Sequence, residues 1–167
     1  FHYIEHHLAH IASAFYPSGF KDAVGLSIDG SGDFVTLAIS ECKNNKITLT
    51  EKTNFPNSLG IFYQAMTQFL GFKNYGDEYK VMGLAPYGKP IYVDLIKEKL
   101  ISIAEDGSFQ LNMDYFDYAT GLQMTNKNFN KLFGGTPRKS ETEITQREMD
   151  LAASVQKVTE DIIVKIA

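Results

Sequence analysis

The hydrophobic pattern of the chain begins with a helical period and then changes to the alternation typical of strands. Alanine and leucine positions recur with helical spacing from His6 to Tyr16, and Pro17 with Gly19 predicts where this helix ends. The next apolar stretches are short, and an Asp/Gly-rich turn and the Asn44-Asn45 turn separate them. We predict three antiparallel strands joined by tight turns, over Ala23–Ile28, Phe34–Ser40 and Ile47–Thr53.

From residue 58 onward the apolar residues return to a helical period. Ser58 is a good N-cap, and Thr145 begins a capping box with Glu148 three residues later. Between them, Phe109–Asp114 alternates weakly, and the polar segment Asn126–Ser140 reads as a loop around a short helix. We predict helices over Leu59–Phe72, Tyr79–Leu84, Tyr92–Ile103 and from Thr145 to Ala167. Strands followed by helices indicate an α/β or α+β fold with helices packed on a sheet.

Composition narrows the possible function classes. The 167 residues fit one domain, and 44% hydrophobic with 22% charged residues is typical of a globular protein. The net charge is −4 and the basic residues are scattered, so we predict no DNA partner. No apolar run approaches the ~18–20 residues of a membrane helix, and the opening FHYIEHHLAH is unlike a signal peptide.

The single cysteine and the chain ends suggest how the protein occurs. Cys42 cannot form an internal disulfide, which suits a cytoplasmic location, and we interpret it as a small residue near a strand end. The chain begins at Phe1 without methionine and ends at Ala167 within a helical pattern. We therefore expect it to be an internal piece of a longer protein.

The segment EHHLAH holds three of the four histidines. On a helix, His6 and His10 are one turn apart on one face, so both imidazoles can reach one metal ion. His7 points about 100° away from His6 and is not a natural partner of His10. A helix start that is simply rich in histidine is the alternative, and spacing alone leaves both interpretations open.

The second candidate is the turn around IDGSGD. Asp29 ends a buried strand and can ligate a cation, and the glycines after it let backbone N–H groups approach phosphate. An ordinary hairpin turn is the alternative. A calcium loop is disfavoured, since Phe34 and Ser40 replace its glycine and glutamate.

A further loop, GDEYKVMGLAPYG, combines charged residues, tyrosines and glycines, as site-lining loops often do. A capped helix explains the same composition. The overlapping segment Gly83–Pro90 has phosphate-loop spacing through its lysine, but Pro90 stands where a Ser or Thr should hold magnesium. We therefore do not interpret it as a standard nucleotide loop.

Several of these motifs, in this order, resemble the O-carbamoyltransferases of antibiotic and nodulation-factor biosynthesis. The segments are HHLAHIASAFYPS, a strand ending in IDGSGD, SLGIFYQAMTQFLGF, EYKVMGLAPYG and, in the last helix, DLAASVQ. The resemblance extends from Glu5 to about Gln156 and is vaguer over Ile91–Asn130.

The resemblance implies an actin-like ATPase domain of two ribonuclease-H-like halves. Residues 1–20 would end the first half and 21–167 would form part of the second, within one compact unit. The implied reaction moves a carbamoyl group from carbamoyl phosphate, via carbamoyl-adenylate, to a hydroxyl of a small-molecule acceptor. A separate domain of the same chain would make the adenylate from ATP, and we also expect that the protein can form a homo-oligomer.

The resemblance assigns roles to particular residues. His6 and His10 match the family's metal-binding pair, Asp29 matches a further ligand, and the implied metal is iron(II). The residues expected near the nucleotide are Gly30, Ser31, Gly32, Glu78, Lys80 and Gly88. Another aspartate ligand and an N-terminal Asp/His segment of the family have no counterpart here, so we expect the chain alone to be inactive; no catalytic residue is assigned.

Two alternative functions remain. The first is an ATPase-like protein of tRNA modification, a relative of this family; the HHLAH, SLGIFYQ and YKVMGLAPYG strings favour the small-molecule branch over it. The second is a non-catalytic actin-like module that binds metal and nucleotide.

Overall fold

A computed structural model describes all 167 residues, Phe1–Ala167. The chain divides into two compact units, Phe1–Ile61 and Phe62–Ala167, and each is described by itself. The predicted mixed α/β fold, with a three-stranded antiparallel sheet followed by helices, is confirmed. The assignment of residues 1–20 and 21–167 to two ribonuclease-H-like halves stays a prediction.

The first unit is a helix on a three-stranded sheet. Helix α1 is His6–Ser18, and the strands are β1 (Asp22–Gly32), β2 (Val35–Lys43) and β3 (Lys46–Asn54), in the order β1-β2-β3. Ile11 and Phe15 of α1 pack on Val35, Ala38 and Cys42 of β2. The sheet's apolar face is thus buried by the helix that carries the histidines.

Both hairpin turns of this sheet use two residues with positive φ, as two-residue type I′ turns require. Asp33 and Phe34 join β1 to β2, and Asn44 with Asn45 joins β2 to β3. The prediction of antiparallel strands joined by tight turns is confirmed. Each strand is longer than predicted, because pairing extends past the most apolar residues.

The second unit is mainly helical. Helix α2 (Leu59–Phe69) crosses the division of the chain, and α3 (Glu78–Leu84), a 3₁₀ turn (Ala85–Tyr87), α4 (Val93–Lys99), α5 (Lys127–Leu132) and α6 (Gln146–Ile166) follow it. The long helix α6 packs against α3, the 3₁₀ turn and α4. Its capping box is formed, with the Thr145 backbone N–H donating to Glu148 Oε2 at 3.0 Å.

One predicted helix is wrong at its end. Helix α4 ends at Lys99, and Ile101–Ile103 is instead strand β4, which pairs antiparallel with β5 (Phe109–Leu111). A few consecutive apolar residues do not distinguish a helix end from a strand by period alone. Elsewhere the boundaries differ by a few residues, and no helix has both the length and the apolar character needed to cross a membrane.

Candidate metal centre

The start of α1 holds His6 and His10 on one face. Glu5 caps the helix, since its carboxylate accepts the Leu8 backbone N–H at 2.6 Å, and Asp33 accepts the His6 backbone N–H at 3.1 Å. These two acceptors satisfy backbone donors that have no partner within the helix. The first turn, and with it the His6 side chain, is therefore fixed to the β1–β2 turn.

Asp29 reaches the histidines because the regular pairing of β1 with β2 is interrupted at this residue. Ile28 pairs with Leu37 and Gly32 pairs with Val35, so three residues of β1 lie opposite one residue of β2. Such bulges bend a strand and redirect its side chains, and they are common next to active sites. The bulge comprises Asp29, Gly30 and Ser31.

Ser58, the residue before α2, supports the bulge. The carbonyl oxygens of Asp29 and Gly30 both accept from the Ser58 hydroxyl, at 3.1 and 2.7 Å. The same hydroxyl oxygen accepts the Ile61 backbone N–H at 3.0 Å and so caps α2. A Cβ on Gly60 would lie 2.7 Å from the Asp29 carbonyl group, so only glycine permits this approach.

The three donor atoms form a compact triangle. His6 Nε2 lies 2.9 Å from Asp29 Oδ2 and 2.9 Å from His10 Nε2, and His10 Nε2 lies 3.4 Å from Asp29 Oδ2. Bonds of about 2.1 Å to one ion place neighbouring donors about 3.0 Å apart in octahedral and about 3.4 Å apart in tetrahedral geometry. The triangle therefore has the size of one face of a metal coordination shell.

The chemistry of the donor set also fits iron(II). Two imidazoles and one carboxylate on one face, with the opposite positions open, are characteristic of non-haem iron(II) sites, although zinc accepts the same ligands. The His6, His10 and Asp29 side chains are 37%, 53% and 40% exposed, so an ion and a further ligand can reach them. All three are among the residues predicted from the sequence.

The charge of the site favours a cation. The hydrogen bond from His6 lowers the pKa of the Asp29 carboxyl group against the opposing effect of burial, and the Gly30 backbone N–H lowers it further. A carboxylate that stays ionised can compensate the charge of a divalent ion.

The glycines after Asp29 have different surroundings. The Gly30 backbone N–H donates to Asp29 Oδ1 at 2.6 Å, and a Cβ there would meet only Ile61, at 4.0 Å. A Cβ on Gly32 would overlap the His6 ring, at 2.1 to 2.4 Å from its atoms. Ser31 is exposed. The role of these three residues in phosphate binding stays a prediction.

The other predicted nucleotide residues belong to the second unit. Lys80 forms an ion pair with Asp77, with 2.8 Å between Nζ and Oδ1, and Glu78 opens helix α3. A Cβ on Gly88 would lie 2.0 Å from the Met149 carbonyl oxygen of α6. Gly88 therefore has a packing role in the second unit, and nucleotide binding by this set stays a prediction.

Ser58 and Gly60 support the site but were not predicted to do so from the sequence. Ser58 was recognised only as a helix cap. Its second contact depends on the bulge in β1, which no local pattern in the sequence reveals.

Comparisons with known proteins agree on one family. The chain matches the model of the carbamoyltransferase N-terminus over residues 1–167. It is 51% identical to the uncharacterized protein sll1178 of Synechocystis sp. over 162 residues, 97% of this chain and 26% of that protein.

Two nodulation proteins are similar over nearly the whole chain. Nodulation protein NolNO of Sinorhizobium fredii is 31% identical over 163 residues, 96% of this chain and 22% of that protein. Nodulation protein NolO of Bradyrhizobium diazoefficiens is 32% identical over 164 residues, 96% of this chain and 27% of that protein. The chain spans about a quarter of the length of these relatives. Since the model of the carbamoyltransferase N-terminus matches all 167 residues, the chain belongs to the carbamoyltransferase family.

Proposed function

We propose that the protein transfers a carbamoyl group from carbamoyl phosphate, via carbamoyl-adenylate, to a hydroxyl group of a small-molecule acceptor, with iron(II) held by His6, His10 and Asp29. The observation that carries the proposal is the donor triangle, with edges of 2.9, 2.9 and 3.4 Å, in a chain of the carbamoyltransferase family. Two of the relatives are nodulation proteins, and the resemblance to the carbamoyltransferases of nodulation-factor biosynthesis favours a small-molecule acceptor over tRNA.

The transfer step needs no redox change. The acceptor oxygen bonds to the carbamoyl carbon, the bond from that carbon to the adenylate phosphate oxygen breaks, and AMP and the hydroxyl proton leave. When bound, a divalent ion supplies Lewis-acid polarisation of an oxygen atom at such a site. His6 and His10 would contribute imidazole nitrogens and Asp29 a carboxylate oxygen, and these three side chains would together hold the ion.

The protein's own contacts position the three donors. Helix α1 fixes both imidazoles, the bulge in β1 fixes the carboxylate, and Ser58 holds the bulge in place. When the ligand side chains of a site are already ordered, binding of an ion costs little free energy for ordering them. Holding the carbamoyl donor and the acceptor together is a separate contribution, which can reach about 7–11 kcal/mol of a transfer barrier.

The test uses the protein at its full encoded length, iron(II), ATP and carbamoyl phosphate labelled in its carbonyl carbon. Label should enter a panel of small alcohols and not bulk tRNA. His10→Ala should lose at least about a hundredfold in rate, because it removes one donor. His2→Ala, which removes an exposed histidine outside the triangle, is the matched control. Label in tRNA, or equal rates for wild type and His10→Ala, would contradict the proposal.

A further inference from the structure

His7, between the two metal-site histidines, is buried in the core of the first unit. The buried side chains of α1 are His7, Ile11 and Phe15, one turn apart on the face that packs on the sheet. His7 has 0% exposure, and an apolar residue is the ordinary occupant of such a position. Burying a polar ring costs free energy unless its polar atoms find partners.

Both ring nitrogens of His7 do find partners, and these lie on different strands. Nε2 is 2.9 Å from the Val35 carbonyl oxygen of β2, and Nδ1 is 2.8 Å from the Ser27 hydroxyl of β1. A carbonyl oxygen can only accept, so Nε2 carries the proton. In the neutral ring, Nδ1 then accepts the Ser27 hydroxyl proton. One side chain therefore joins α1 to two neighbouring strands by directional bonds.

These bonds fix the rotation of α1 about its axis. His7 projects about 100° from His6 on the same helix. A rotation of α1 that broke the two hydrogen bonds of His7 would therefore also displace the imidazoles of His6 and His10. For atoms about 6 Å from the axis, a rotation of about 10° moves them by about 1 Å. Metal–ligand distances tolerate only about 0.2 Å. Ile11 and Phe15 hold the helix on the sheet, but apolar contacts have no comparable direction.

Ser27 connects His7 to the strand that carries Asp29, the third donor residue. It is two residues before Asp29 on β1, at the last regular part of the ladder before the bulge. The hydrogen bond from Ser27 to His7 thus links the helix that carries the two imidazoles to the strand that carries the carboxylate.

We infer that His7 and Ser27 are a positioning pair for the metal centre. Their hydrogen bond, with that from His7 to Val35, sets the rotation of α1 so that the His6 and His10 side chains lie next to Asp29. This inference rests on the proposed function, because it assumes that the triangle binds a metal ion. His7 does not touch the ion or the substrate.

The experiment compares Co(II) binding by variants of the protein at its full encoded length. His7→Leu removes both hydrogen bonds of the ring, Ser27→Ala removes only the one to Nδ1, and His7→Gln keeps an N–H donor at similar reach. Ile11→Val, one turn along the same buried face, loosens the apolar packing without touching a hydrogen bond. Co(II) affinity is measured by calorimetry, the ligand field by visible absorption and the thermal midpoint by circular dichroism.

We expect His7→Leu to weaken Co(II) binding by about tenfold to a hundredfold and to alter the Co(II) spectrum. Ser27→Ala should have a smaller effect in the same direction, and His7→Gln should recover part of the affinity. Ile11→Val should lower the thermal midpoint and leave the affinity and the spectrum unchanged. Wild-type affinity in both His7→Leu and Ser27→Ala would overturn the inference.

The inference would also fail if Ile11→Val lost Co(II) affinity in proportion to the fall in its thermal midpoint, because a general loss of stability would then explain the weaker binding. The proposed function has a separate criterion in the same experiment. Wild-type protein that binds Co(II) no better than His10→Ala would overturn the metal centre itself and the positioning pair with it. Normal binding by wild type, loss in His10→Ala and no loss in either positioning variant would overturn the pair alone.

Discussion

Gly30 and Gly32 lie two residues apart in the same turn region, but the space around them differs. At Gly30 a methyl group would meet only the tip of Ile61, whereas at Gly32 it would overlap the His6 ring. Residue 32 must therefore be glycine because the His6 ring lies directly against its backbone. This requirement is separate from any contact with phosphate.

A pair of alanine substitutions tests this difference. Gly32→Ala should displace His6 and weaken Co(II) binding by at least about tenfold, because the ring and the new methyl group cannot share the space. Gly30→Ala should leave Co(II) binding unchanged, since its position is open. The measurement is calorimetric titration with Co(II). Equal affinities in the two variants would contradict the role given to Gly32.

At the scale of elements, two helix caps in this protein have different tasks. Ser58 caps α2 and also binds the Asp29 and Gly30 carbonyl oxygens, whereas Thr145 caps α6 through its capping box with Glu148. Loss of either cap should lower the free energy of unfolding by about 1 kcal/mol. Loss of Ser58 also leaves two carbonyl groups of the bulge without this donor.

Ser58→Ala and Thr145→Ala are therefore a matched pair. Both should lower the free energy of unfolding measured with urea, and Ser58→Ala should lower it more, by about 1–2 kcal/mol in total. Only Ser58→Ala should weaken Co(II) binding, because only Ser58 holds the strand that carries Asp29. If Thr145→Ala weakened Co(II) binding as much, the effect would reflect stability and not support of the site.

The elements also show which features could be predicted from the sequence. The type and order of the three strands, α1, α2 and α6 follow from period and capping residues, and the i,i+4 spacing of His6 and His10 places both imidazoles on one face. That they share a metal ion stays a prediction. The strand at Ile101–Ile103 was missed because a segment of three residues, two of them apolar, fits either period. The bulge at Asp29–Ser31 could not be predicted, since it is a relation between two strands.

For the molecule as a whole, several carboxyl groups have a lowered pKa. In the first unit they are Glu5 and Asp29, and in the second they are Asp77, Asp106, Glu148, Asp150 and Asp161. Each is held in its ionised form by hydrogen bonds or a basic neighbour. As the pH falls, the unfolded chain takes up protons at these groups before the folded chain does, so acid favours unfolding. Stability should therefore be lost as the pH falls below about 4.

Asp161 allows a direct test of this dependence. Its hydrogen bonds from Lys157, at 2.6 Å, and from Lys97, at 2.7 Å, lower its pKa and tie α4 to α6. Its contribution is fully present above the usual aspartate pKa of about 3.9 and is lost as the pH falls through its lower folded value. Asp161→Asn should cost up to about 1 kcal/mol at neutral pH, because the pair is partly exposed, and less at about pH 2. Urea unfolding at both pH values measures this, with Glu105→Gln, an exposed acid, as the charge control. A difference between wild type and Asp161→Asn that stayed constant from neutral pH to about pH 2 would show that the lysine pairs do not account for the stability at this position.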